Sequence, residues 1–269
     1  MISKVNKDKS NIIKTIDFFS LDMDGTIYLD ETWINGAKEF LHKVESSGRK
    51  FIFLTNNSSK SSQNYVDKLH KMGLDIDVNQ IITSGQATIY YLKQTYPNKK
   101  IFLLGNALLK KEFLEEGLIL DEEKPDIVVT AFDTSLDYNK MCKVCDFVRA
   151  GLPYISTHPD YNCPTKTGFI PDSGAIAAFI KASAFRYPDR IIGKPNPDII
   201  KYMLARLNTT GDKVMMVGDR LYTDVAAGVN NGLYSMLVLS GETKLEDVET
   251  SSIKPHLIFD SVKEIIPFL

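Results

Sequence analysis

Along the chain, short apolar runs alternate with segments whose apolar positions recur at helical spacing. The runs are DFFSL, KFIFLT, KIFLLG, DIVVTAF, LPYIST, DRIIGK, KVMMVG, SMLVLSG and HLIF. They are rich in β-branched and aromatic residues and lack polar alternation, as strands do when helices cover both faces of a sheet. Helical patterns fill most of the gaps, among them residues 36–47, YNKMCKVCDFVRAG, SGAIAAFIKASAF and PDIIKYMLARL. Asn196 is placed to cap the last of these and Pro197 to begin it. The pattern predicts a parallel α/β architecture, in which ligands bind beyond the carboxyl ends of the strands.

Polar residues gather at four of those ends. DFFSL runs into Asp22, KFIFL into Thr55-Asn56-Asn57-Ser58, RII into Gly193-Lys194-Pro195, and KVMMV into Gly218-Asp219-Arg220. Residues 84–189 have strands and helices of their own but supply no such cluster. They read as an inserted α/β domain within a core made of residues 1–83 and 190–269, with crossings near Gly85 and Tyr187-Pro188.

Composition narrows the class without changing the fold. The 269 residues are 43% hydrophobic and 25% charged, with a formal net charge of −2 and no basic stripe, which argues against a nucleic-acid partner. Lys4, Lys7, Lys9 and Lys14 interrupt the apolar residues near the start, so neither a signal peptide nor a membrane span is expected, and a cytoplasmic protein is. Cys142, Cys145 and Cys163 fit reduced thiols; the C-x-x-C they include lacks a second pair and falls in a helix pattern.

Gathering carboxylates at one strand end is costly unless a cation compensates. Asp22 is placed to attack phosphorus and form an acyl phosphate. Asp24, after a turn at Gly25, can protonate the leaving oxygen and then deprotonate water. Thr55, Asn56, Asn57 and Lys194 can donate to phosphoryl oxygens. Asp219 and Asp224 raise the carboxylate count to four, a hard oxygen set that suits Mg²⁺.

The motifs Asp22-Met23-Asp24-Gly25-Thr26, Thr55-Asn56-Asn57-Ser58, Gly193-Lys194-Pro195 and Gly218-Asp219-Arg220-Leu221-Tyr222-Thr223-Asp224 resemble, in order, the four motifs of the haloacid-dehalogenase (HAD) superfamily. TNNS, IGKPNPDI, GDRLYTD and THPDYNCPTKTGFIPDSGA are similar to its NagD-like, class IIA phosphatases, which include 4-nitrophenylphosphatases. The resemblance implies a Rossmann-like core with an inserted cap, Asp22 as nucleophile, Asp24 as acid and base, and Thr55 with Asn56 as phosphate binders. It implies that Lys194 holds the nucleophile and phosphoryl group in register. Mg²⁺ would be held by Asp22, the Asp24 carbonyl and Asp219, with Asp224 as an outer-shell partner. The substrate would be a small phosphorylated metabolite, and the cap is a candidate homodimer surface.

Two positions depart from the subfamily pattern: His158 where Asn is usual, and Asp172 where Gly is usual. His158 is a candidate substrate contact in a loop that the resemblance places over the site; Asp172 is placed to cap the helix SGAIAAFIKASAF. Trp33 is expected to pack its loop against helix 36–47. The insert is expected to act as a lid that selects the leaving group. A phosphomutase using the same aspartyl-phosphate is the alternative reading.

Overall fold

The computed structural model describes residues 10–165 and 167–269. These divide into two compact units. The first comprises the described residues up to Thr55, then Val66–Ile82 and Lys194–Leu269; the second comprises Asn56–Tyr65 and Thr83–Gly193. The lysine-interrupted start, residues 1–9, lies outside the described residues.

The first unit is built on a six-stranded sheet in the order Leu257–Phe259, Tyr234–Val238, Val214–Gly218, Phe18–Leu21, Lys50–Thr55, Ile81–Thr83. From Leu257–Phe259 across to Lys50–Thr55 every pairing is parallel. Phe19, Leu21, Phe53, Val214, Met215, Met216 and Val217 are completely buried, which is why these strands read as unbroken apolar runs. Helix Ala37–Ser46 buries Ala37, Phe40, Leu41 and Val44, and helix Pro197–Leu207 buries Ile199, Ile200 and Met203. Each such aliphatic or aromatic side chain contributes about 1.5–3 kcal/mol on burial.

Register decides what this sheet can do. Leu21 pairs with Val217 on one side and Phe53 on the other, so Asp22, the first residue past its strand, stands level with Leu54 and Gly218. The chain crosses from Phe18–Leu21 to Lys50–Thr55 on one flank and returns much later to Val214–Gly218 on the other. That reversal is where open α/β sheets bind ligands.

The second unit has its own parallel sheet, ordered Arg190–Ile191, Tyr154–Ser156, Ile127–Thr130, Lys100–Leu104, Ile119–Leu120. An antiparallel hairpin, Asn162–Thr165 with Gly168–Pro171, follows it. Cys145 packs in its core beside Val144, Val148 and Tyr154, and all three cysteines are free thiols. The unit runs from Thr83 to Gly193 and also takes in Asn56–Tyr65, a stretch that strand continuity had assigned to the core. Polar bonds draw it there: Ser58 Oγ meets Thr157 Oγ1 at 3.0 Å, and Asn106 Nδ2 donates to the Ser59 carbonyl at 2.8 Å.

The pattern reading missed Ile81–Thr83, Ile119–Leu120, the hairpin and the small ribbon Tyr28–Leu29 with Thr32–Trp33. Two to four residues carry no measurable period, so their pairing is decided by neighbours. Trp33 donates to the Met72 carbonyl at 2.9 Å and meets Tyr28 edge-on, besides lying against Lys38 of helix Ala37–Ser46. Among the described residues no helix is long and apolar enough to cross a membrane.

Candidate active site

Asp22 is the first residue past its strand, and its N–H donates to the Val217 carbonyl at 2.9 Å, prolonging the sheet by one bond. Its carboxylate is half-buried and stands 2.7 Å from Lys194 Nζ. The same ammonium reaches Asp224 Oδ1 at 2.7 Å and the Leu54 carbonyl at 2.8 Å. Lys194 is 1% exposed, so these charge-assisted bonds form away from water, where they are strongest. The reading of Lys194 anticipated Asp22 and not Asp224.

Asp219 follows the strand Val214–Gly218 and is buried. Its carboxylate accepts from the Glu242 N–H at 2.7 Å and from Thr26 Oγ1 at 3.4 Å. Gly25, at φ +84°, turns the chain against it: a Cβ there would lie 2.6 Å from Asp219 Oδ2. Only glycine meets both demands. Asp24 itself is exposed. Asp224 lies in a single π-helical turn, Leu221–Val225, where the Arg220 carbonyl accepts from both the Asp224 and Val225 N–H groups at 3.1 Å. That widened turn directs Asp224 inward, with the Arg220 N–H donating to its Oδ2 at 3.2 Å.

Carboxylate oxygens of Asp22, Asp219 and Asp224 lie within 4.8 Å of one another. Burial pushes the Asp219 carboxyl up to about 7, with the Asp22 and Asp224 charges adding to it. Burial also raises Asp224, to about 6, against the pull of Lys194. Burial disfavours the Lys194 charge, but Asp22 and Asp224 more than offset it and its pKa rises. The Arg220 guanidinium also acts on the cluster, yet Asp219 and Asp224 stay above the ordinary carboxylate range. The all-oxygen donor set fits a hard divalent cation held by Asp22 and Asp219. Asp224, with one oxygen on Lys194 and the other on a backbone N–H, fits an outer position.

The second motif divides between the units at the Thr55–Asn56 peptide bond. Thr55 is buried at the end of its strand. Asn56 Nδ2 donates to the Asp160 carboxylate at 3.2 and 3.3 Å, and Asn57 Oδ1 accepts from the Ser59 N–H and hydroxyl at 2.8 and 2.9 Å. The Asn57 side chain thus shapes the loop rather than standing out from it. His158 is corrected as a substrate contact: its ring has no exposed surface, and its nitrogens meet Asp172 Oδ1 at 2.8 Å and Thr157 Oγ1 at 2.9 Å. Asp172 does cap helix Ser173–Ala184, accepting from the Ser173 N–H at 2.6 Å, and it pairs with His158 as well.

Sequence reasoning did not find Thr26, Ser240 or the 241–242 turn. Ser240 Oγ donates to the Gly25 carbonyl at 2.8 Å, and a Cβ on Gly241 would come within 2.0 Å of Asp219. The signal was available, because Ser240-Gly241 follows the apolar run of another parallel strand, as the four recognised motifs do.

Comparison with known proteins agrees with this geometry. Residues 19–119 match a family model described as haloacid dehalogenase-like hydrolase, and residues 191–265 match a HAD-hydrolase-like model. An acid sugar phosphatase of Staphylococcus aureus is 33% identical over 255 residues, covering 94% of this chain and 98% of that protein. The crystal structure of a 4-nitrophenylphosphatase from Thermotoga maritima superposes with a TM-score of 0.92 at 44% identity, covering 95% of this chain and 98% of the other. NagD from E. coli K-12 gives 0.87 at 33% identity, with 93% and 98% covered. With the motifs, their register on one sheet and relatives spanning nearly the whole length in agreement, this chain belongs to the haloacid dehalogenase-like hydrolases and is a phosphatase of their NagD-like group.

Proposed function

We propose that this enzyme hydrolyses small-molecule phosphomonoesters through an aspartyl-phosphate on Asp22, with Mg²⁺ as cofactor. The observation that carries the reading is the pairing of Asp22 with Lys194 at 2.7 Å, at the end of a central strand and beside two further carboxylates. The lysine holds the Asp22 carboxylate and fixes which oxygen faces the phosphorus. Asp22 attacks; the P–O bond to the leaving group breaks, and the ester oxygen takes a proton from Asp24. The Asp24 carboxylate then takes a proton from water, whose oxygen attacks phosphorus. The bond to Asp22 breaks, and phosphate leaves. Thr55 and the donors of Asn56 and Asn57 bind the phosphoryl oxygens. Bound Mg²⁺ would supply positive charge to those oxygens and to the surrounding carboxylates.

The relatives' names favour sugar phosphates and 4-nitrophenyl phosphate as first substrates to try. Phosphoglycolate, nucleotides and pyridoxal phosphate belong on the same panel, since the insert differs from the subfamily pattern at His158 and Asp172. Asp24 fits a phosphatase and a phosphomutase alike, so the relatives' names are what favour hydrolysis, and whether glucose or mannose 1-phosphate gives free phosphate or an isomer separates the two. The covalent step is tested with a substrate labelled in its phosphoryl group. After acid quench, Asp24→Asn should retain label on the peptide containing Asp22, and Asp22→Asn should retain none and lose at least about a thousandfold in turnover. Turnover of Asp22→Asn within tenfold of wild type would remove Asp22 from its role.

A further inference from the structure

The second unit contains a buried polar cluster that the reaction above does not use. Asp172 pairs with His158, whose Nδ1 lies 2.9 Å from Thr157 Oγ1 and 3.4 Å from Ser84 Oγ. His158, Thr157 and Ser84 are all buried. The Ser84 hydroxyl donates to the Asn56 carbonyl, and Asp160, two residues beyond His158, accepts from the Asn56 side chain at 3.2 and 3.3 Å. Two separate tethers therefore converge on one residue of the second motif.

Their effect follows from peptide planarity. A carbonyl and the N–H of the next residue share one plane and point opposite ways, so holding the Asn56 carbonyl fixes the direction of the Asn57 N–H. The Ser58 hydroxyl, which meets Thr157 and accepts from the Phe132 N–H, each at 3.0 Å, secures the next turn. Glycines provide the room. A Cβ on Gly193 would stand 2.6 Å from Asn56 Oδ1 and 2.7 Å from His158 Cβ, and one on Gly174 would stand 2.2 Å from the Pro159 carbonyl. His158, Asp160 and Asp172 lie close enough together to suggest a metal site, but His158 and Asp172 already bond each other and Asp160 bonds Asn56.

We propose that Asp160 and Ser84 are positioning residues for phosphate recognition: they hold the side chain and the carbonyl of Asn56 and so fix the arrangement in which Asn56 and Asn57 offer donors to phosphate, and the His158–Asp172 pair braces the loop that carries Asp160. The proposal rests on Asn56 and Asn57 being phosphate binders.

Orthophosphate is the probe, measured as a competitive inhibitor of 4-nitrophenyl phosphate hydrolysis in wild type, Asn56→Ala, Asp160→Ala, Ser84→Ala, Asp160→Asn and the double variant Asn56→Ala/Asp160→Ala. Asp160→Ala and Ser84→Ala should each raise the inhibition constant and KM by about 5–10-fold, with kcat changed less, and Asp160→Asn, which keeps an acceptor, should recover most of the loss. Asp160→Ala should add no more than about twofold on the Asn56→Ala background, because Asp160 acts through Asn56. Independent, multiplying losses in the double variant would overturn the proposal. So would Asp160→Ala and Ser84→Ala both binding orthophosphate like wild type while Asn56→Ala does not. An unchanged constant in Asn56→Ala itself would instead remove the phosphate-binding reading beneath it. Thermal melts of each variant accompany the kinetics, and a loss of phosphate affinity that simply tracks a fall in Tm across the set, Asp160→Asn included, counts against positioning.

Discussion

Lys194 Nζ stands 2.7 Å from Asp22 Oδ1, and the contact is made with the lysine almost wholly enclosed. The same ammonium stands 2.7 Å from Asp224, so two of the three neighbouring carboxylates share it. Lys194→Ala should therefore cost stability as well as turnover. Removing one partner of a buried ion pair typically costs about 3–5 kcal/mol, because the charge left behind is uncompensated. Turnover should fall at least about a thousandfold, since Asp22 loses the partner that fixes its rotamer. Lys194→Arg should not rescue: the planar fork cannot place a single point charge against Asp22, Asp224 and the Leu54 carbonyl together. Denaturant melts and steady-state kinetics check this, and Lys194→Ala turnover within tenfold of wild type would sink it.

Metal removal gives a second expectation. EDTA should abolish activity and Mg²⁺ restore it, with Ca²⁺ a poor substitute because its larger, looser shell misplaces nucleophile and phosphorus. Mg²⁺ should also raise the Tm of the metal-free enzyme by mass action, and Asp219→Asn should lose most of that rise. Full activity in EDTA, or a Tm rise unaffected by Asp219→Asn, would reject the assignment.

Glu112, half-buried on helix Ala107–Glu115, is raised to about 7 by burial first and then by Glu116 and Glu115. Since the folded state holds this proton more tightly than the unfolded chain, the contribution to stability is present at low pH. It is lost as pH rises from the ordinary glutamate value through about 7. Discounted for partial solvent screening, the loss is about 1–2 kcal/mol. Glu112→Gln should accordingly be more stable than wild type at pH 8 and nearly equal to it at pH 4.5. Chemical denaturation at the two pH values decides it; an equal difference at both would show that Glu112 does not titrate in this range.

Tyr161, 57% exposed just before the hairpin strand Asn162–Thr165, tests whether this loop has any part in selecting the ester, since His158 is enclosed. Tyr161→Ala should change kcat/KM unequally across a panel of phosphate esters, by about 1–3 kcal/mol for those that lose a contact, and leave the orthophosphate inhibition constant unchanged. A uniform loss over the whole panel would contradict a role in selecting the leaving group.

Much of this protein was legible in one dimension. Strands Phe18–Leu21, Lys50–Thr55 and Val214–Gly218 announce themselves because a sheet covered on both faces needs unbroken apolar runs. Asp22, Thr55 and Asp219 could be picked out because each ends or follows such a run. Helix Pro197–Leu207 likewise starts where Asn196 and Pro197 placed it. These are local signals, carried by residues next to one another in the chain.

Tertiary structure alone decided which distant residues share an atom's reach. Nothing in the local pattern places Asp224 on Lys194, 30 positions apart, or the Glu242 N–H on Asp219, 23 positions apart. Nor does it take Asn56–Tyr65 out of the core unit, or turn His158 from a loop residue into a buried partner of Asp172. The reason is physical. Propensity and period act over a few residues, whereas a buried polar group must find whichever partner folding brings within hydrogen-bonding distance, at any separation in sequence.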